Sequence, residues 1–303
     1  MATPKASLAA VLTSLPLALG SMSAPAASPA LSSVGSWIYQ LQGAKPDVLA
    51  ASPYDMAVID YSRDGSGGRA YSRADIAALK VKPDGGQRIV LAYLSIGEAE
   101  DYRFYWGQDW SRTPPSWLLG ENPDWEGNYD IRFWDPEWQK IILGTPQSYL
   151  DRILAAGFDG VYLDRVDAYE RNDREMNAPG RRAAMIAFVQ DIARYGRAQN
   201  PQFLVVPQNG EELLSDAGYR QVVSGLAKED LLYGLDGDES RNRNGEIRAS
   251  LSFLNRLVAE GKPVFLAEYL SSPELIDTAH AEASELEMVL FIGDRELDNA
   301  NSK

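Results

Sequence analysis

RIVLAYLSI (Arg88–Ile96) is an almost unbroken apolar run. A strand with one wet face alternates apolar and polar residues, whereas a strand covered on both faces does not need to. The run therefore predicts a buried strand of a parallel α/β fold. Shorter runs of the same kind lie on both sides of it: SWIYQL (Ser36–Leu41), MAVIDY (Met56–Tyr61), GVYLD (Gly160–Asp164), FLVVP (Phe203–Pro207), QVVSGLAKED (Gln221–Asp230), PVFLAEYL (Pro263–Leu270) and EMVLFIG (Glu287–Gly293). Helical stretches separate them. Ser72–Lys80 opens on a capping-box arrangement of Ser72 and Asp75. Pro136–Ala156 is broken near Gly144 and Pro146 and stops at Gly157. Pro179–Gln199 carries Met185, Phe188, Val189 and Ile192 on one face. Glu246–Glu260 and Pro273–Leu286 complete the set. Eight strands separated by helices or long connections, in one composition regime, predict a single (β/α)8 TIM barrel. A doubly wound open sheet is the alternative, but the nucleotide fingerprint such a sheet normally offers is missing.

Gly97–Asp135 breaks the short-connection rule, because links between such elements usually run to about 2–6 residues. It contains Tyr102, Phe104, Tyr105, Trp106, Trp110, Trp117, Trp125, Tyr129, Phe133 and Trp134. An aromatic-rich segment is the opposite of a disordered linker. The segment is expected to fold over the barrel, either as a satellite core or as a sugar-stacking overhang.

Composition removes many chemistries. The 303 residues include no Cys and one His, with 29 Lys+Arg, 43 Asp+Glu and a formal net charge of −14. Thiolate nucleophiles, Cys-ligated metals and His-cluster zinc sites are excluded. His280 lies in a polar, helix-like stretch and is read as a solvated side chain. No G-x-S-x-G, G-x-G-x-x-G or P-loop motif occurs. The acidic balance argues against nucleic acid, which needs a basic face. DGDESRN (Asp236–Asn242) lacks the sixth-position Gly and twelfth-position Glu of a calcium loop. Neither a cofactor nor a metal is expected, and the chemistry falls to carboxylates, Tyr, Lys and Arg.

Acidic residues end strand after strand: Asp60, Glu98, Asp164, Glu229 and Glu268. In a barrel these positions form the C-terminal mouth, where sites are built. Five like charges on one rim repel unless they are paired or used. A carboxylate-rich mouth beneath an aromatic overhang suits glycoside hydrolysis, which needs one acid and one nucleophile or base. A structural ion-pair ring, a non-catalytic carbohydrate-binding protein on a barrel, and a carboxylate–metal hydrolase are the competing readings.

Taken in order, several motifs resemble those of glycoside hydrolase family 114-like proteins, the endo-α-1,4-polygalactosaminidases. They are W-x-Y-Q-L-Q (Trp37–Gln42), AVIDYSRDG (Ala57–Gly65), AYLSIGEAEDYRFYW (Ala92–Trp106), DPEWQ (Asp135–Gln139), GFDGVYLDRVDAYE (Gly157–Glu170), PQNGEEL (Pro207–Leu213), KEDLLYG (Lys228–Gly234), VFLAEY (Val264–Tyr269) and DRELD (Asp294–Asp298). The resemblance implies a barrel enzyme acting on α-1,4-linked galactosamine-containing polysaccharide. It implies Asp164 as nucleophile and Glu229 as general acid/base. It also implies a substrate-binding set of Asp60, Tyr61, Glu98, Arg103, Trp106, Asp167, Gln208, Asn209, Glu268 and Tyr269. The family often carries Asn where this chain has Arg165. If the Arg165 guanidinium reaches Asp164, that carboxylate should stay ionised, while Glu229 would need its proton affinity raised. The expected partner is thus a cationic amino-sugar polysaccharide, with no nucleic acid and no stable membrane insertion.

The N-terminus reads as a leader. Lys5 is followed by the short apolar stretch Leu8–Gly20 and an A-x-A site at Ala24–Ala26, the pattern of a secretory signal peptide. The stretch is shorter than the roughly 20 residues a membrane span needs. The expected division is residues 1–26 signal peptide, 27–35 disordered linker and 36–303 barrel, with the mature chain in the periplasm or outside the cell. N-terminal sequencing of fractionated cells should find a start near Ala27; an intact Met1 on cytoplasmic protein would overturn this.

Overall fold

A computed structural model describes residues 29–298. The leader expected over residues 1–26 lies outside them. The linker expected to be disordered is folded where it is described: Leu31–Ser33 is a 3-10 turn, and Leu31 and Val34 are buried in the core.

The chain runs β1 (Trp37–Gln40), α1 (Pro46–Ala50), β2 (Met56–Ile59), α2 (Arg73–Leu79) and β3 (Ile89–Ser95). The long connection contributes β4 (Glu98–Glu100), β5 (Leu118–Glu121) and β6 (Asn128–Ile131). Then come α3 (Pro136–Ile142), α4 (Tyr149–Ala156), β7 (Gly160–Asp164), α5 (Ala178–Gln199), β8 (Leu204–Pro207), α6 (Ala217–Val222) and β9 (Leu226–Glu229). A hairpin of β10 (Tyr233–Gly234) and β11 (Gly237–Arg241), α7 (Asn244–Ala259), β12 (Val264–Glu268), α8 (Pro273–Glu285) and β13 (Val289–Ile292) complete it.

Eight of these strands form the parallel centre, in chain order. β1-β2-β3-β7-β8 make one ladder and β9-β12-β13 another. A parallel bridge between Gln208 and Ala227 joins β8 to β9. At the other seam β1 meets β13 through Trp37, whose indole donates to the Val289 carbonyl at 3.1 Å and packs on Phe291. The central strands are buried because helices cover their outer faces, and this is why the sequence shows apolar runs rather than alternation. The parallel α/β architecture expected from those runs is present.

Local signals read correctly include the Ser72–Asp75 capping box, the break between α3 and α4, and Gly157 at the end of α4. One reading is corrected. Gln221 and Val222 end helix α6, and the strand begins only at Leu226. Asp216 caps that helix by accepting from the Tyr219 backbone N–H, a short-range signal outweighed in the sequence by the β-branched pair Val222–Val223.

The long connection folds into an antiparallel sheet of order β4-β6-β5. Beneath it Trp106, Trp110, Trp117 and Trp138 pack ring to ring, with successive centroids 5.0–5.1 Å apart. The Trp138 indole donates to the Ile96 carbonyl, tying this second core to the end of β3. Trp117 is 3% exposed at the centre of the chain of rings. Trp117→Ala should lower unfolding free energy by about 3–5 kcal/mol. Chemical denaturation measures this, and a loss under about 1 kcal/mol would show that the rings are not a packed core.

Candidate active site

The five strand-end acids meet three different fates. Asp60 is neutralised: Arg103 donates to its Oδ2 at 2.6 Å and forks onto both Glu100 oxygens at 2.6 and 3.0 Å. Arg103 is buried among the rings of Tyr61, Tyr93, Tyr102 and Tyr149, so all sides of the guanidinium are engaged. Glu268 is satisfied by backbone. It is fully buried and accepts from the Leu232 and Tyr233 N–H groups at 2.8 and 3.1 Å, which fixes the turn after β9.

Asp164 and Glu229 fare differently. Among the described residues neither has an ion-pair partner. They end β7 and β9, with β8 between, so their side chains converge on one mouth. Asp164 is pinned through its carbonyl by the Ile96 N–H. Its carboxylate accepts from the Tyr93 hydroxyl at 2.6 Å and the Arg165 backbone N–H at 2.7 Å. Glu229 accepts from the Tyr269 hydroxyl and, at 3.4 Å, from the Asn209 amide, whose oxygen accepts from the Glu229 N–H at 3.2 Å.

Burial pushes the Asp164 carboxyl above its ordinary value, against the Tyr93 hydrogen bond. Glu229 is pushed up to about 7, first by burial and then by the charge of Asp164, with Tyr269 pulling the other way. The condition that the Arg165 guanidinium reach Asp164 is not met as an ion pair, and its charge is only a minor influence holding Asp164 down. The guanidinium instead lies 3.0 Å from Glu98 Oε1 and 4.0 Å from Asp167. Glu98 also accepts from Asn122 at 2.9 Å and, being buried, is still pushed up to about 7. Gly97 makes this approach possible, because a Cβ there would lie 2.1 Å from the Arg165 carbonyl oxygen.

These groups face a cleft of about 550 Å³. Of the expected set, Asp60, Glu98, Arg103, Asp164, Asp167, Gln208, Asn209, Glu229 and Tyr269 line it. Tyr61, Trp106 and Glu268 do not: Tyr61 is packed on Tyr149, Trp106 on Trp110 and Tyr129, and Glu268 on backbone. The aromatic rim is supplied by Tyr102 and Trp125, 45% and 56% exposed. Tyr39 and Tyr93 were not singled out in the sequence, although both line the cleft. Their signal was a phenol near the C-terminal end of an otherwise apolar strand. Among the described residues no group of three or more His, Asp or Glu is placed to hold a metal ion. No helix there is long and apolar enough to cross a membrane. His280 is exposed on α8.

Residues 19–302 match the model of glycoside-hydrolase family GH114. The chain belongs to that family. An uncharacterized protein of Deinococcus radiodurans is 39% identical to this GH114 chain over 97% of its length and 92% of the relative's. Among solved structures, Ega3 of Aspergillus fumigatus in complex with galactosamine superposes with a TM-score of 0.66 at 21% identity, covering 92% of this chain and 98% of that one. The glycoside hydrolase domain of PelA from Pseudomonas aeruginosa gives 0.65 at 22% identity, covering 88% and 97%. At these identities the likeness shows the shared parallel α/β fold, and the family membership makes this chain a glycoside hydrolase relative.

Glu98, Glu229 and Glu268 are each pushed from the usual 4.5 up to about 7, with burial the largest cause. Between those values the folded chain binds more protons than the unfolded chain, so stability falls as pH rises. The melting temperature should be higher at about pH 5.5 than at about pH 7.5, and Glu229→Gln should shrink the difference. A melting temperature that climbs with pH across this interval would overturn the assignment.

Proposed function

We propose that this GH114 chain is an exported glycosidase that cleaves α-1,4-linked galactosamine-containing polysaccharide, with Asp164 as nucleophile and Glu229 as general acid/base. The observation that carries the reading is a pair of carboxylates at the ends of β7 and β9 that line one cleft and, among the described residues, have no ion-pair partner. Two acids buried close together share a proton, because the second negative charge is costly. Asp164 accepts from two donors that favour its anion. Glu229, pushed up to about 7, can hold and release a proton near neutral pH. This suits Glu229 to the acid/base role and leaves Asp164 for the nucleophile, the roles the family resemblance implies.

In the first step Asp164 attacks the anomeric carbon while Glu229 protonates the departing oxygen. In the second, ionised Glu229 takes a proton from water, which displaces Asp164 and regenerates both groups. The anomeric configuration is retained. Trp125 and Tyr102 offer exposed ring faces for the C–H sides of sugars. A net charge of −14 attracts a polymer bearing ammonium groups, and the galactosamine bound to Ega3 supports the same sugar class here.

The test is incubation of purified chain with amino-sugar polymers, followed by product sizing and proton NMR of the new anomeric centre. Asp164→Asn and Glu229→Gln should each lower turnover by roughly 10²–10⁴-fold or more, with little change in melting temperature at about pH 5.5, where Glu229 is protonated. Trp125→Ala should raise KM for polymer and leave the fold intact. Full turnover in either carboxylate variant, or an inverted product, would refute the assigned mechanism.

A further inference from the structure

We propose that Arg295 is a positioning residue: it clamps the Tyr269 ring and, through the Tyr269 hydroxyl, fixes the Glu229 carboxylate. The inference rests on Glu229 being the acid/base. Arg295 follows β13. Its Nε donates to Asp238 Oδ1 at 2.7 Å, and its two Nη groups donate to the Asp230 oxygens at 3.1 and 3.0 Å. The guanidinium carbon lies 4.6 Å from the centroid of the Tyr269 ring. The Tyr269 hydroxyl donates to Glu229 Oε1. One planar cation thus connects the β10–β11 hairpin, the residue after Glu229, and the phenol that holds Glu229.

A lone exposed ion pair would mean little. A two-pronged guanidinium that is also stacked on a ring is a different object, since plane and fork each fix its orientation. The backbone yields to accommodate it. Asp230 has φ +51°, in the left-handed region that Asp enters more readily than most residues. Gly234 has φ +107°, and a Cβ there would lie 2.3 Å from Asp230 Oδ1 and 2.9 Å from Arg295 Nη2. Only glycine leaves room for the pair.

The clamp also sets charge. Glu229 is faced by Asp164 from β7, by Asp230 beside it, and by the phenols of Tyr39, Tyr162 and Tyr269. Removing Arg295 takes away a positive charge and releases the negative charge of Asp230. It also loosens the Tyr269 hydrogen bond. Each change makes Glu229 hold its proton more tightly, so the alkaline limb of the pH–rate profile moves up. Turnover falls because the proton is no longer aimed.

The experiment compares wild type, Arg295→Gln, Arg295→Lys and Asp238→Asn on the galactosamine polymer, with ¹³C-glutamate NMR titration of Glu229 assigned by Glu229→Gln. In Arg295→Gln, kcat should fall roughly tenfold or more, KM should stay within about twofold, and the alkaline limb and the Glu229 titration should rise by about half a unit or more. Arg295→Lys keeps the charge without the fork, so its limb should stay near wild type while kcat is only partly restored. Asp238→Asn cuts one arm of the clamp and should shift both readouts less. It carries the test if Arg295→Gln fails to fold. An unchanged Glu229 titration in a folded variant overturns the proposal. So does a raised KM with kcat and pH limb unchanged, which would make Arg295 a substrate contact. The titration needs no turnover, so a failure of the polymer as substrate would refute the proposed function and leave the clamp separately decided.

Discussion

Two half-buried carboxylates a single strand apart, neither with an ion-pair partner among the described residues, are the arrangement on which the rest of the mouth depends. Burial alone would drive both to take up protons. Each carboxylate accepts two hydrogen bonds that resist this: from a phenol and a backbone N–H at Asp164, from a phenol and an amide at Glu229. The remaining strand-end acids are arranged so as not to interfere. Arg103 absorbs the charge of Asp60 and Glu100, and Arg165 sits beside Glu98. The opposite end of the strands is treated otherwise. There Asp159 is paired with Lys80 and also accepts from the Val90 N–H, and the buried Arg88 donates to backbone carbonyls of Ser52, Tyr54 and Leu79. Charge at that end closes on itself and contributes to stability rather than to chemistry.

A common backbone device follows three consecutive central strands. Arg165 after Asp164, Asn209 after Gln208 and Asp230 after Glu229 all have φ between +51° and +58°. Asn and Asp tolerate that region comparatively well, whereas Arg adopts it at a cost. The cost is spent where it turns the chain abruptly after the functional residue. It also presents the Arg165 N–H to Asp164 and sends the Asp230 carboxylate toward Arg295. Left-handed backbone immediately beside acids of this kind is a pattern associated with functional sites.

Much of this was legible in the residues. Apolar runs of strand length marked the central strands, because a strand covered on both sides has no wet face to encode. Carboxylates ending those runs marked the mouth. The division of labour among them was not legible, because it depends on contacts distant in sequence: Asp60 with Arg103, and Glu268 with the turn at Leu232–Tyr233. For the same reason the sequence leaves open whether Arg165 reaches its chain neighbour Asp164; the glycine at position 97 lets it pack against Glu98 instead. The aromatic connection announced that it was folded, but not which rings would be buried. The antiparallel pairing of β4, β5 and β6 decides that, with Trp106, Trp110 and Trp117 inside and Trp125 at the outer turn.

That outer turn has an evolutionary consequence. The β5–β6 hairpin is supported by its own cluster of indoles, so its tip is insulated from the packing of the central strands. Asn122, at the base of the turn, holds Glu98, but the residues beyond it around Trp125 can be exchanged without touching Asp164 or Glu229. A lineage built on this scaffold can therefore retool the reach and shape of its rim by small local edits, while the chemistry underneath is inherited intact.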